Sequence, residues 1–186
     1  MFEKGIIIKI ILLGDGRVGK TSLKSTYLGK GFQERYLPTL GAEISIKKME
    51  IQNLPIVCNI WDLAGQPKFN RIRGPYYVGA TAAILVYDIT HSSTLYNLKE
   101  WIKEMQKRVR IESIPLLIIG NKIDLRETAS TQVTTEEGQT FVETLKNELK
   151  GNKSIYFLET SAKTTINVNK AFKKIIEETL KIQGKI

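Results

Sequence analysis

Apolar residues along this chain fall in short runs, separated by stretches rich in glycine and polar side chains. Ile6 to Leu13 is β-branched and almost uninterrupted, the pattern of a strand buried on both faces. Ser22, Leu23, Tyr27 and Leu28 then recur at helical spacing. Glu43 to Lys47 alternates as a half-exposed edge strand should, and Ile56 to Trp61 follows Asn53-Leu54-Pro55, so the two predict a hairpin. Ala82 to Tyr87 is a further strand ending at Asp88. Behind Ser92 and Ser93, both candidate caps, Leu95, Leu98, Ile102, Met105 and Val109 predict a helix. Ile114 to Gly120 reads as a buried strand with Pro115 at its start, where proline is tolerated. Thr135 to Leu149 predicts a helix packed through Phe141, Val142, Leu145 and Leu149. Ile155 to Glu159 is the last strand, and Val168, Ala171, Phe172, Ile175, Ile176 and Leu180 belong to the last helix. The intervening stretches from Gly29 to Gly41 and from Asp62 to Pro75 read as long, mobile loops. Once past the hairpin, strands alternate with helices and stay apolar throughout, which predicts an α/β fold with a mostly parallel sheet covered on both faces.

Ligands in such folds bind beyond the carboxyl ends of the strands. The first strand ends in Gly14-Asp15-Gly16-Arg17-Val18-Gly19-Lys20-Thr21, which fits G-x-x-x-x-G-K-[ST], the phosphate-binding P-loop, in its required strand–turn–helix setting. The glycines let the backbone approach a ligand closely, and the loop's N–H groups with the positive end of the following helix form an anion cradle. Lys20 adds a point charge for outer phosphates, and the Thr21 hydroxyl is a candidate Mg²⁺ ligand. Three later strands end in Trp61-Asp62-Leu63-Ala64-Gly65-Gln66, Asn121-Lys122-Ile123-Asp124 and Glu159-Thr160-Ser161-Ala162-Lys163. Each alone reads equally as a turn or a helix cap. In this order on one sheet edge, they converge on a single nucleotide.

Composition narrows the picture further. At 186 residues, 42% hydrophobic and 25% charged, the chain fits one ordinary domain spanning 1–186, with no repeat or linker. Cys58 is the one cysteine and falls in an apolar run, which fits a buried thiol in a reducing compartment. His91 fits a surface or capping role. No apolar run approaches the ~20 residues of a membrane span. Neither a signal peptide, a myristoylation pattern nor a prenylation cysteine is visible, so a cytoplasmic protein, at most peripheral at a membrane, is expected. The net charge of +9 draws on nine lysines from Lys146 onward, but these alternate with apolar helix positions and predict a solvated face rather than a nucleic-acid site.

Taken together, GDGRVGKT, Thr39 in the 29–41 loop, DLAGQ, NKID and TSAK make the chain resemble a small GTPase of the Ras superfamily, from about Ile6 to Leu180. WDLAGQPKF, PYYVGA, ILVYDIT and QVTTEEGQTF are most similar to the Rab branch, whose members serve vesicle trafficking. Trp61 and Tyr76 match two members of the Rab effector-facing aromatic triad, and Ile44 stands in the place of the third. The resemblance implies a P-loop NTPase fold, with a six-stranded, mostly parallel sheet, one antiparallel edge strand, and helices on both faces. It implies that Asp124 takes the guanine N1–H and amine, which adenine does not offer, while Asn121 and Lys122 brace that loop. The Ala162 N–H would meet the guanine oxygen, supported by Ser161 and Lys163; Phe32 would pack edge-on to the base and Tyr36 would close over the phosphates. Gly14 to Thr21 and Ser22 would line the phosphate site. Thr21 and Thr39 would coordinate Mg²⁺ while Asp62 would hold it through water, the Gly65 N–H would sense the γ-phosphate, and Gln66 would orient the attacking water.

Four departures from the family stand out, one being the missing prenylation cysteine, which puts membrane marking in doubt. Leu63 replaces the usual Thr, and Pro67 replaces the usual Glu, where it removes a backbone donor and restricts Gln66. Arg17 sits where Ras has glycine. The expected function is a molecular switch that binds GTP or GDP with Mg²⁺ and hydrolyses GTP slowly. Its loops at about 33–41 and 62–75 would present a nucleotide-dependent surface to effectors, an exchange factor and an activating protein. A GTP-binding scaffold with little hydrolysis, because Pro67 perturbs Gln66, is the alternative; an ATPase or nucleoside kinase is disfavoured by Asn121-Lys122-x-Asp124.

Overall fold

A computed structural model describes residues 5–32, 37–66, 69–130, 132–149 and 154–186. Six strands, β1 (Ile6–Leu13), β2 (Ala42–Ile51), β3 (Leu54–Leu63), β4 (Ala82–Asp88), β5 (Leu116–Asn121) and β6 (Ile155–Thr160), form one sheet in the order β2-β3-β1-β4-β5-β6. Only the β2–β3 pair is antiparallel; β1 pairs in parallel with both β3 and β4, and β4–β5 and β5–β6 are parallel. The expected sheet, with its single antiparallel edge strand, is therefore present. The hairpin turns at Gln52 and Asn53, both with positive φ, and Leu54 and Pro55 already belong to β3. That places the turn one residue earlier than the proline suggested, because two consecutive left-handed residues match the twist of the flanking strands.

Alternate residues of the central strands feed two cores. On one face Ile11, Leu13, Leu85 and Ile118 pack with Leu98, Ile102 and Met105 of α4 (Leu98–Gln106), and with Phe141, Val142 and Leu145 of α5 (Thr135–Glu148). On the other, Ile10, Leu12, Ile84 and Ile119 pack with Leu23 of α1 (Lys20–Tyr27), and with Phe172, Ile175 and Ile176 of α6 (Val168–Ile182). Tyr27 stacks on Phe172 at 3.9 Å between centroids, tying α1 to α6. Thr134 and Glu137 form the reciprocal capping box that starts α5. Cys58 is buried in the second core, and burial pushes its thiol up to about 12, in line with the structural role expected.

Two segments differ from the pattern. The stretch expected as a loop to Pro75 contains α2 (Asn70–Tyr77), with Pro75 inside it. Its anchors are tertiary: Arg73 and Tyr77 both bond Glu104 on α4. The helix expected behind Ser92 is broken at Asn97 into α3 (Ser92–Tyr96) and α4, with His91 rather than either serine at the N-cap.

Candidate functional site

The P-loop owes its shape to glycines that have no room for a side chain. Gly14 has φ 133°, and a Cβ there would lie 2.1 Å from the Val86 carbonyl oxygen; at Gly19, with φ 99°, a Cβ would meet Asn121 Nδ2 at 2.3 Å. Lys20 opens α1 and is buried. Its Nζ donates to the Gly14 and Asp15 carbonyls at 2.7 and 2.8 Å, so the ammonium is held across the mouth of the loop. Burial lowers its pKa to about 8, against the raising effect of Asp62 and Asp15. A cation kept there against its own desolvation suits a site that receives anionic phosphate.

A cleft of about 610 Å³ opens beyond the strand ends, of a size that suits a nucleotide. Gly16, Arg17, Gly19, Lys20, Thr21 and Ser22 line it from the P-loop side, and Phe32 and Thr39 from the segment after α1. Gly65 and Gln66 line it from the end of β3, Asn121, Lys122 and Asp124 from the end of β5, and Ala162 and Lys163 from the end of β6. Val18 and Ser161 are buried behind this wall, and Tyr36 and Pro67 lie outside the described residues. Arg17 is exposed and has φ 69°.

At the base end, Asn121 is the hub. Its Nδ2 donates to the Val18 carbonyl at 2.9 Å, while its Oδ1 accepts from the Thr160 hydroxyl at 3.0 Å and the Ala162 N–H at 3.2 Å. One amide thus joins the P-loop, the end of β5 and the end of β6. The Ser161 hydroxyl donates to Asp124 Oδ1 at 2.5 Å and accepts from the Thr164 N–H, which fixes the carboxylate's orientation. Lys122 has φ 72° and sends its Nζ to Asp88 Oδ2 at 2.5 Å. That partner, with two bonds from Thr90, holds the Asp88 carboxyl below the usual range despite burial.

At the phosphate end, Thr21 Oγ1 donates to Asp62 Oδ2 at 2.6 Å and lies 3.3 Å from Thr39 Oγ1. Asp62 is fully buried, and its Oδ1 has no hydrogen-bond partner. An orphaned carboxylate oxygen beside two hydroxyls is a hard-oxygen donor set, which fits Mg²⁺ and leaves the remaining coordination positions to water and phosphate. Among the described residues no cluster of three His, Cys, Asp or Glu side chains offers another metal site. Burial raises the Asp62 pKa, while Thr21, Lys20 and Lys24 favour the carboxylate.

The geometry also brings in residues that the motifs did not reveal. Arg73 is buried on α2, donates through Nη1 to the Ala64 and Gln66 carbonyls, and forks onto Glu104. Its guanidinium stacks over Trp101 at 4.1 Å. The Asp15 carboxylate accepts from Asn97 Nδ2 at 2.7 Å and Trp101 Nε1 at 2.9 Å, so it braces the P-loop against α4, while its backbone carbonyl accepts from Lys20. This bracing borders a second cleft of about 530 Å³ between α2 and α4, which lacks the phosphate cradle. Lys24 is buried one turn beyond Lys20, 2.9 Å from Glu43 Oε2 and 3.7 Å from Asp62 Oδ2. The spacing of four from Lys20 is its only trace in the sequence. The three positions of the aromatic triad share one surface: Ile44 is the cross-strand partner of Trp61, and Trp61 and Tyr76 lie 6.0 Å apart.

Comparison with known proteins agrees with this geometry. The Ras family model matches residues 9–181. The chain is 36% identical to Ras-related protein Rab11E of Lotus japonicus over 183 residues, covering 98% of this chain and 79% of that one. It is 35% identical to Ras-related protein RIC2 of Oryza sativa subsp. japonica over 96% of this chain and 77% of the relative. Ras-related protein Rab-11C of Dictyostelium discoideum is 35% identical over 95% of this chain and 74% of its own length.

Proposed function

We propose, for a chain that belongs to the Ras family as a Rab-like small GTPase, a slow GTP-hydrolysing switch in one nucleotide-binding domain spanning 1–186. Membership makes it a GTP-binding molecular switch and a GTP hydrolase; the roles of its individual residues are the proposal. The observation that carries it is convergence: Lys20, Gln66, Asp124 and Ala162, from four strand ends, line one cleft.

In this reading Asp124, oriented by Ser161, accepts both guanine donors, and the Ala162 N–H turns to the guanine oxygen while Asn121 holds the surrounding loops. Lys122 and Phe32 flank the base. Lys20 leaves its two carbonyls for the phosphates, a move that costs little because it exchanges neutral acceptors for charged ones. Thr21, Thr39 and Asp62 would hold Mg²⁺, which would supply positive charge against the negative charge developing on the transferred phosphoryl group. Gln66 orients the attacking water, with its backbone carbonyl steadied by Arg73. Because phosphoryl transfer is mostly positioning and charge stabilisation, unassisted turnover is on the order of 10⁻⁴ s⁻¹ and rises when a partner supplies an arginine.

Gly65 and Thr39 report the γ-phosphate to the segments around them. Their rims expose Leu37, Leu40, Ile44, Ile46 and Ile72, an apolar surface suited to effectors, exchange factors and activating proteins. None of the described helices is long and apolar enough to cross a membrane. Single-turnover hydrolysis of bound GTP tests the reading. The wild type should turn over at least tenfold faster than Gln66→Leu. Equal rates would remove Gln66 from catalysis, and a wild type with no measurable hydrolysis would favour a GTP-binding scaffold.

A further inference from the structure

Asp62 and Glu43 stand directly opposite each other across the β2–β3 pair, two carboxylates in register on neighbouring strands. Like charges so placed repel. Lys24, reaching in from α1, bridges them: its Nζ is 2.9 Å from Glu43 Oε2 and 3.7 Å from Asp62 Oδ2. The lysine is 2% exposed, and among the described residues its Nζ makes these ion pairs without a well-directed hydrogen bond. Lys20 adds a second buried cation on the same carboxylate's side of the site. Lys20, Lys24, Glu43 and Asp62 therefore carry no net charge before any ion or nucleotide arrives.

From this arrangement we infer that Lys24 is a resident counter-cation for Asp62, which makes the retention of guanine nucleotide unusually independent of Mg²⁺. The inference rests on the proposed role of Asp62 in holding the metal. A buried carboxylate with no cation beside it gains strongly from a divalent ion and suffers when the ion leaves. Here Asp62 keeps an ammonium beside Oδ2 in either case, so an ion held through this carboxylate, directly or by way of water, meets a fixed positive charge. The metal is bound more weakly, and its loss removes less. Glu43 tunes the effect, since its exposed carboxylate takes part of the Lys24 charge. A solely structural role for Lys24, relieving the repulsion between the strands, would alter folding stability but leave the metal dependence unchanged.

The experiment loads the full chain with a fluorescent GDP analogue and follows its release at free Mg²⁺ from micromolar to millimolar, and in EDTA. Lys24→Met keeps the length and removes the charge from a site flanked by core residues. It should lower the Mg²⁺ concentration for half-maximal retention about tenfold and enlarge the EDTA acceleration by a similar factor, whereas Lys24→Arg keeps the wild-type curve. Glu43→Gln acts at an exposed position and does not endanger the fold. By unmasking Lys24 it should raise the Mg²⁺ midpoint at least threefold, about the change expected when a partly screened charge is freed. Superimposed curves for wild type and Lys24→Met, or an unmoved midpoint in Glu43→Gln, would overturn this inference alone. Tighter metal dependence in the wild type than in Lys24→Met would overturn it with the opposite sign. A wild type that holds no GDP analogue at any Mg²⁺ concentration would bring down the nucleotide reading itself.

Discussion

Substituting Gly65 by alanine tests how the loop after β3 meets the P-loop. A Cβ at this position would lie 2.5 Å from the carbonyl carbon and oxygen of Asp15 and 2.6 Å from the Gly16 nitrogen. All three are backbone atoms, so no side chain can swing aside. Reaching the ordinary 3.4 Å contact distance requires the loop to withdraw by about 0.9 Å. Overpacking of this kind costs about 1–3 kcal/mol. The cost falls only on the arrangement in which residue 65 touches the P-loop, which the γ-phosphate is proposed to favour. The ratio of closed to open loop should therefore fall about 5- to 150-fold. The Ala64 N–H, which donates to the Gly41 carbonyl at 2.9 Å and so ties the two switch segments together, is a suitable reporter. In the wild type its hydrogen exchange should slow when a non-hydrolysable GTP analogue replaces GDP; in Gly65→Ala at least fivefold of that slowing should vanish. GDP affinity should stay within about threefold, because the P-loop itself is untouched. Full protection of Ala64 in the variant would refute the reasoning, as would an equal loss of GDP and GTP-analogue binding.

Three further outcomes follow from the same geometry. Arg73→Met removes a buried fork onto Glu104 and the donors to Ala64 and Gln66, and should cost about 2–4 kcal/mol in urea unfolding; a loss below about 0.5 kcal/mol would show that α2 is held by other contacts. Asp124→Asn replaces an acceptor-only carboxylate with an amide that also donates, so competition binding should shift from guanine towards xanthine nucleotides by at least tenfold; unchanged guanine preference would remove Asp124 from base recognition. Lys181, Tyr156 and Lys174 hold the Glu178 carboxyl down at about 2, below its usual 4.5. Its contribution is present above about pH 4.5 and lost as pH falls towards 2, so the melting temperatures of wild type and Glu178→Gln should converge across that window and differ most above it. A constant difference would refute the linkage.

The sheet was readable from sequence because its central strands are buried on both faces where they meet the helices and so appear as unbroken apolar runs, as in Ile10–Leu13 and Ala82–Tyr87. Their polar ends were readable for the related reason that nothing in a strand's own packing calls for Asp62, Asn121 or Asp124. Helix α2 was not readable. Gly74 and Pro75 signal a break, and what overrides them is Glu104 on α4, some thirty positions along the chain. Lys24 was hidden because a lysine on a helix ordinarily faces water, and its partners arrive from β2 and β3 only in the folded sheet. The Asp15 carboxylate misleads in the opposite way: its place in the phosphate motif suggests a ligand contact, whereas Asn97 and Trp101 claim it from behind.

The central claim is that four strand ends build one guanine-nucleotide site. Denaturing the protein as purified from cells, and resolving the released nucleotide by ion-exchange chromatography, tests it most directly. The account predicts close to one equivalent of GDP or GTP per chain, reduced at least tenfold by Asp124→Ala. An adenine nucleotide in its place, or guanine nucleotide retained undiminished by Asp124→Ala, would contradict it.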